Sequence, residues 1–394
     1  MNILVVAAVL PYPLHSGGQI RMYNLLSRLS KKHTITLVSF IRHESEREYA
    51  KKLSFCKDVR MILRGRAWQP KYYLRAIVGK YPFLLTTYDN RQMQSEINTL
   101  MGNSHFDLIH AEPFYVLPSV AESGVPLVVS EHNVEYEVYK NYVDRFPVPW
   151  VRPLMYWDVY KLRNWERMAW KRAACITAVS DDDAQVMKKY GNAPVAVVPN
   201  GVDLDSFPLR TPGSHKDFTV LFVGNFRWLP NREALSSLVG LMWPEIRAKI
   251  PEAHLMVAGR DLPRDLKNRV MKVGGMVNEN VENIAQVYRD ADVLVAPHAI
   301  PGGTKFKMLE AMASGLPIVT GIHGMAGLHG KPGVHYFDAR SPHEYANRLL
   351  FIRENPAAVK KVTLAARHLV EAEYNWDTIA DILDSVWKKT YAKN

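Results

Sequence analysis

The chain has 394 residues, 47% of them hydrophobic and 23% charged, with a formal net charge of +11. That length suggests two domains, and that balance excludes a disordered or low-complexity chain. Cys56 and Cys175 lie far apart in apolar surroundings. They exclude a disulfide framework and a cysteine metal site, and read as buried thiols of a reducing compartment.

The first stretch, MNILVVAAVLPYP, has no basic start, and its apolar run stops at Pro11 and Pro13. It is expected to be a buried strand rather than a signal peptide. NILVVAA (2–8) opens an alternation of short β-branched runs and longer amphipathic ones. GGQIRMYNLLSRLSKKH (17–33) predicts a helix, and TITLVSF (34–40) a strand. FDLIHAE (106–112), PLVVSEHN (126–133), CITAVS (175–180) and VAVVPNG (195–201) end further strands. After ITAVS, the acids of DDD (181–183) follow Ser180 as an N-cap and first turn, not as metal ligands.

The second half repeats the theme with FTVLFVG (218–224), AHLMVAG (253–259), VLVAP (293–297) and PIVT (317–320). Strands alternating with helices predict an α/β fold of two doubly wound, Rossmann-like domains with parallel sheets. The expected division is 1–205, 206–373 and a last helix from 374 to 394. The polar, proline-bearing stretch 205–217 would be the linker. In such sheets ligands bind beyond the carboxyl ends of the strands, so two domains facing a cleft would line it with these loops.

The positive charge is uneven. Residues 57–80 carry seven Lys/Arg against one Asp, with Trp68, Tyr72 and Tyr73 among them. Residues 161–172 carry five against one Glu, with Trp165 and Trp170. Cations among aromatics suit an anionic membrane surface, or a solvated basic face over core aromatics. No nucleic-acid motif is present. No run approaches the ~18–20 apolar residues of a spanning helix. The expected location is cytoplasmic, with a peripheral place on the inner membrane face left open.

The stretch VLVAPHAIPGGTKFKMLEAMASGLPIV (293–319) concentrates the chemistry. Gly302 and Gly303 let the backbone approach a ligand, and Thr304 is an N-cap candidate for a helix beginning near Lys305. A helix N-terminus after glycines offers N–H groups to an anion, and Lys305 and Lys307 add charge. Glu310 follows on a face with little polarity. A carboxylate there needs a partner: a vicinal diol such as a ribose, or a lysine or loop of the protein itself.

This stretch resembles the donor-nucleotide motif of retaining glycosyltransferases with the two-Rossmann (GT-B) fold, the family of many bacterial polysaccharide and lipid-glycan transferases. PYPLHSGGQIRMYNLLSRL (11–29), SEHN (130–133), ITAVSDDDAQVM (176–187), VAVVPNGVDLDSF (195–207), VLFVGNFRWLPNREAL (220–235) and YNWDTIADILDSVWKK (374–389) resemble its other motifs in order. The resemblance implies that Glu310 binds the nucleotide ribose. It implies that Gly17 and Gly18 bring backbone to the donor diphosphate, and that His132 lines the donor-sugar pocket. It also implies that the last helix crosses back onto the first domain.

Two positions depart from the family pattern. Its first motif glutamate is Gly302 here, so backbone N–H groups of Gly302, Gly303 and Thr304 are expected to replace a carboxylate on the sugar. Its diphosphate-binding Arg and Lys after Gly224 are Asn225 and Pro230 here. Lys305, Lys307 and Arg227 are expected to supply the displaced charge. The catalytic set is therefore His132, Lys305 and Arg227, and Arg21 is a candidate for an anionic acceptor.

The implied activity is transfer of a hexose from a nucleotide-diphosphate sugar, UDP being preferred to GDP, to a hydroxyl of a glycan or lipid-linked glycan. Retention, no metal and no cofactor are implied. The alternatives are a degenerate homologue that binds nucleotide or membrane without turnover, and a nucleotide-sugar epimerase. A phosphorylase of similar fold would need a phosphate site as well.

Overall fold

The computed structural model describes residues 1–66, 69–210, 218–297 and 306–393. They form two compact units. Met1–Pro199 and Ile379–Asn394 make the first, and Asn200–Thr378 the second.

The first unit is built on a seven-stranded sheet. Its strands are β1 (Asn2–Ala7), β2 (Thr34–Ile41), β3 (Asp58–Leu63), β4 (Leu108–Glu112), β5 (Leu127–Ser130), β6 (Cys175–Ala178) and β7 (Val195–Val197). Their order is β3-β2-β1-β4-β5-β6-β7, and every pairing is parallel. Ile3 to Ala7 are fully buried, as expected of a central parallel strand covered on both faces. The order reverses between β1 and β4, which opens a crevice beyond Ala7 and Glu112.

The second unit repeats the plan with β8 (Phe218–Asn225), β9 (Ala253–Arg260), β10 (Met276–Glu279), β11 (Val293–Ala296), β12 (Ile318–Thr320) and β13 (Phe337–Asp338). The order is β10-β9-β8-β11-β12-β13, again parallel. Its switch lies between β8 and β11.

Each expected strand is present. β3, β10 and β13 were not anticipated. β3 hides in the basic stretch 57–80, β10 is a half-exposed edge strand without an apolar run, and β13 has two residues. The segment after Pro199 packs in the second unit rather than the first. The Val202 amide donates to the Tyr374 carbonyl at 2.8 Å, and buried Phe207 meets the Tyr288 ring edge-on at 5.7 Å.

Helix limits follow local chemistry. Gly17–Leu29 buries Met22, Leu25, Leu26 and Leu29, a stripe of helical period. Asp181–Tyr190 is capped by Ser180, whose Oγ accepts from the Asp183 amide at 3.1 Å, with three acids in its first turn. The last helix, Trp376–Tyr391, brings buried Trp387 into the first unit, edge-on to His33 and His110.

Candidate functional site

In the first unit the crevice is built around one carboxylate. His110 and Glu112 are two apart at the end of β4, so both side chains point to the same face. Glu112 is buried. Its Oε1 lies 2.7 Å from Nε2 of His132 and its Oε2 lies 3.1 Å from Nε2 of His110. Arg21 is also buried, with its Nε 3.6 Å from Oε1 of Glu112. Burial raises the Glu112 pKa, but the hydrogen bonds from His110 and His132 outweigh it and hold the carboxyl well below the usual range.

An ionised carboxylate only accepts, so both histidines present Nε2–H to it. Nδ1 of His110 then accepts from the Trp387 indole at 3.2 Å, which ties the last helix to the carboxylate. The His132 ring rests against Gly18 in the first turn of the helix Gly17–Leu29. A Cβ added to Gly18 would lie 2.9 Å from Cε1 and 3.1 Å from Nδ1 of His132. Gly18 is thus a space requirement of the histidine ring as well as a helix start.

Arg21 is a correction to the sequence reading. It was expected to face an anionic acceptor. Instead it is buried, beside Glu112, and its Nη1 donates to the Pro199 carbonyl at 2.7 Å. Neighbouring Glu131 turns inward too, accepting from the Trp170 indole at 3.1 Å. Burial first, and then the nearby Glu166, push its carboxyl pKa well up.

In the second unit, Gly302, Gly303, Thr304 and Lys305 lie outside the described residues. The helix that follows them is described. Half-buried Glu310 accepts from the Tyr288 hydroxyl on Oε2 at 2.7 Å. Its partner within the protein is therefore a tyrosine, and no other hydrogen bond to Glu310 is found among the described residues. Burial raises the Glu310 pKa, while the Tyr288 hydrogen bond and the charge of Lys307 pull it down, with a net upward shift.

Lys307 reaches across the switch to β8. Its ammonium donates to the Val223 carbonyl at 2.7 Å and to Asn231 Oδ1 at 3.1 Å. The cation stands at the carboxyl edge of β8, anchored by two oxygens rather than extended into solvent. Arg227 is exposed and pairs with Asp261 at 2.9 Å. Asn225 orders this turn: its Oδ1 accepts from the Arg227 amide at 3.0 Å, and its carbonyl accepts from Asn231 at 2.8 Å.

The strand ends here approach closely. A Cβ at Gly259 would lie 1.8 Å from the Gly224 carbonyl oxygen, so β8 and β9 tolerate no side chain there. Asp261 and Asn280, just past β9 and β10, take positive φ of 59° and 54°. Such backbone is uncommon outside glycine and clusters at binding loops.

Sequence reasoning missed Glu112, His110 and Tyr288. The signal for the first two was present in FDLIHAE, a strand end placing two polar side chains on one face. No local signal marks Tyr288, which reaches Glu310 only through the packing of Ile284–Arg289 against Phe306–Ser314.

Comparison with known proteins agrees with this architecture. Residues 15–206 match the family model "Glycosyltransferase Family 4", and residues 217–355 match "Glycosyl transferases group 1". The chain is 26% identical to glycogen synthase of Mycobacterium tuberculosis, over 71% of the chain and 68% of that protein. It superposes on sucrose-phosphate synthase of Thermosynechococcus elongatus with a TM-score of 0.73 at 17% identity, covering 100% of both chains. It superposes on Anabaena HepE in complex with UDP with a TM-score of 0.69 at 15% identity, covering 99% of the chain and 100% of HepE.

Proposed function

Because the chain belongs to the glycosyltransferases of the two-Rossmann (GT-B) fold, we propose that it moves a hexose from a nucleotide-diphosphate sugar to a hydroxyl of a glycan or lipid-linked glycan, retaining the anomeric configuration. The observation that carries this reading is Glu310: a carboxylate at the switch of the second sheet, held on one oxygen by Tyr288, in a helix preceded by two glycines. Its remaining acceptor capacity suits the paired hydroxyls of a ribose.

The diphosphate takes its place at the start of that helix, where N–H groups and the dipole favour an anion. Arg227 and Lys305 stabilise the leaving group, whose negative charge grows as the glycosidic bond breaks. Lys307 contributes its charge from its anchor on β8. His132, oriented by Glu112, offers its Nδ1 edge to a substrate hydroxyl. The acceptor oxygen bonds to the anomeric carbon on the face the diphosphate leaves, and its proton passes to the leaving phosphate oxygen. No protein base is then required. The Asp-x-Asp pairs of the sequence carry local structural bonds, Asp183 with Ser180, Asp203 with Ser206 and Asp292 with the Thr219 amide, so the reaction is proposed to run without a divalent metal. UDP is proposed over GDP as the base-bearing half of the donor; Anabaena HepE, similar in fold, was solved in complex with UDP.

A second reading has one observation behind it. Gly302 stands where the family pattern has a sugar-binding glutamate. A homologue that binds nucleotide without turnover fits that replacement.

A thermal-shift titration with UDP, GDP and their sugar conjugates tests both, because a ligand of the native state raises Tm by mass action. A shift with one nucleotide series, lost in Glu310→Ala, together with donor cleavage, supports the transferase. A shift with no cleavage under any acceptor supports the second reading. No shift at millimolar concentration with any nucleotide overturns both.

A further inference from the structure

The first unit exposes apolar side chains on two adjoining helices. On Pro70–Val78, Tyr72 and Ala76 turn inward, while Tyr73, Leu74, Ile77 and Val78 face out, Val78 at 78% exposure. On Arg152–Arg172, the buried face carries Val159, Leu162, Glu166, Ala169 and Trp170. The outer face carries Leu154, Trp157, Tyr160 and Met168, and Trp150 just before it is 82% exposed. Both helices are inverted relative to an ordinary surface helix, whose outer face is polar.

The two helices are fastened together. The buried ammonium of Lys161 donates to the Ala76 carbonyl, and to those of Tyr81 at 3.2 Å and Gly79 at 3.4 Å. This caps the carboxyl end of Pro70–Val78 with a cation. The Trp165 indole donates to the Lys80 carbonyl at 3.0 Å, and Asp158 accepts from the Phe83 amide at 2.9 Å. These bonds hold the two helices, and with them their exposed apolar residues, on neighbouring elements. Trp157 and Tyr160 stack at 5.5 Å. So many exposed apolar side chains on neighbouring helices mark an interaction surface.

Charge decides the partner. No acid occurs between Asp58 and Asp89, a stretch that holds six Lys/Arg. The long helix has two acids, and both are used inside: Asp158 on the Phe83 amide, and Glu166 on the amides of Glu135 and Tyr136 at 2.7 and 3.0 Å. Lys71, Lys80 and Lys171 are exposed at the margin of the patch. Cations predominate around these apolar and aromatic side chains, the nearby acids Asp144 and Asp89 being paired with Lys140 and Arg75; this matches an anionic bilayer, in which rings and aliphatics enter the interface and lysines meet headgroups.

We propose that this face, formed by Tyr73, Leu74, Ile77, Val78, Trp150 and Trp157, docks the first unit onto an anionic lipid surface without spanning it. No helix among the described residues is long and apolar enough to cross a membrane. Of the aromatic residues singled out by composition, Tyr73 belongs to this face. Tyr72 and Trp170 are buried, and the rest of the outward-facing set is drawn from neighbouring positions. The proposal does not depend on the donor assignment.

The test is co-sedimentation of the full chain with vesicles of phosphatidylcholine alone and of equal parts phosphatidylcholine and phosphatidylglycerol. The expected result is binding to the anionic vesicles, reduced by raised salt, and at least about tenfold weaker in Leu74→Ser/Ile77→Ser/Val78→Ser. Trp157→Ser should weaken it separately. All four positions are exposed, so an unchanged Tm verifies that the variants fold. Absence of wild-type binding to either vesicle, or equal binding by the triple variant, overturns the proposal. Loss in the triple variant of a concentration-dependent dimer, with no vesicle binding by the wild type, would assign the face to a second copy of the chain instead. Nucleotide is absent throughout, so the outcome is independent of the transferase test.

Discussion

His132 and Glu112 stand 20 residues apart in sequence and 2.7 Å apart in space, Nε2 to Oε1. The pairing fixes which nitrogen of the ring carries its proton and which edge is left for a substrate. The same carboxylate holds His110, and through it Trp387 of the last helix. A ring oriented by a buried, ionised acid is a common way to preorganise a contact.

Glu112→Gln should destabilise the protein by about 3–5 kcal/mol, because it breaks a buried charged network and leaves partners unpaired. The pH dependence gives a sharper reading. A carboxyl held low in the folded state contributes stability that is fully present above its unfolded pKa of about 4.3 and is lost as pH falls towards the lower folded value. Denaturant unfolding followed from pH 6 downward should show that acid-side loss in the wild type. It should be flatter in the variant. Equal slopes would show that Glu112 is not held low.

Gly18→Ala should leave the fold intact and impair turnover. The new methyl meets the His132 ring at 2.9 Å, closer than real contacts allow, so the ring must move. Relief of such a clash costs about 1–3 kcal/mol of stability. The Glu310 contact in the second unit is untouched by this change, so the loss of turnover should exceed any loss of nucleotide affinity. A variant with wild-type kcat would remove His132 from the reaction.

Tyr288→Phe tests the support of Glu310. The hydroxyl hydrogen bond lowers a carboxyl that burial raises, so its removal should raise the Glu310 pKa further. Nucleotide affinity that relies on the ionised form declines as pH falls through that pKa. In the variant the decline should begin at higher pH, with affinity at neutral pH reduced about 5- to 10-fold, the size of one lost hydrogen bond. Calorimetric titration across pH 5–8 measures both. Coincident profiles would separate Tyr288 from the site.

The alternation of apolar runs and amphipathic segments was enough to specify two parallel sheets, because a strand buried on both faces must be almost wholly apolar. Glu310, Lys307, Gly18 and His132 stood out in the sequence as site candidates, and the fold gives the side chains of three of them hydrogen-bond partners and sets Gly18 against the His132 ring. Edge strands such as β10 and β13 escaped, since a half-exposed or two-residue strand leaves no periodicity to read.

What the sequence could not determine was where long side chains end. Arg21 looked like an exposed cation, and the fold instead buries it beside Glu112. Glu112, His110 and Trp387 converge from positions up to 277 residues apart. Tyr288 meets Glu310 only because two helices pack side by side. Composition marked 57–80 and 161–172 as basic and aromatic, but could not separate rings in the core from rings in solvent. Local pattern encodes backbone periodicity and strand ends. Contact between distant side chains depends on the register and packing of whole elements, and only the folded chain decides it.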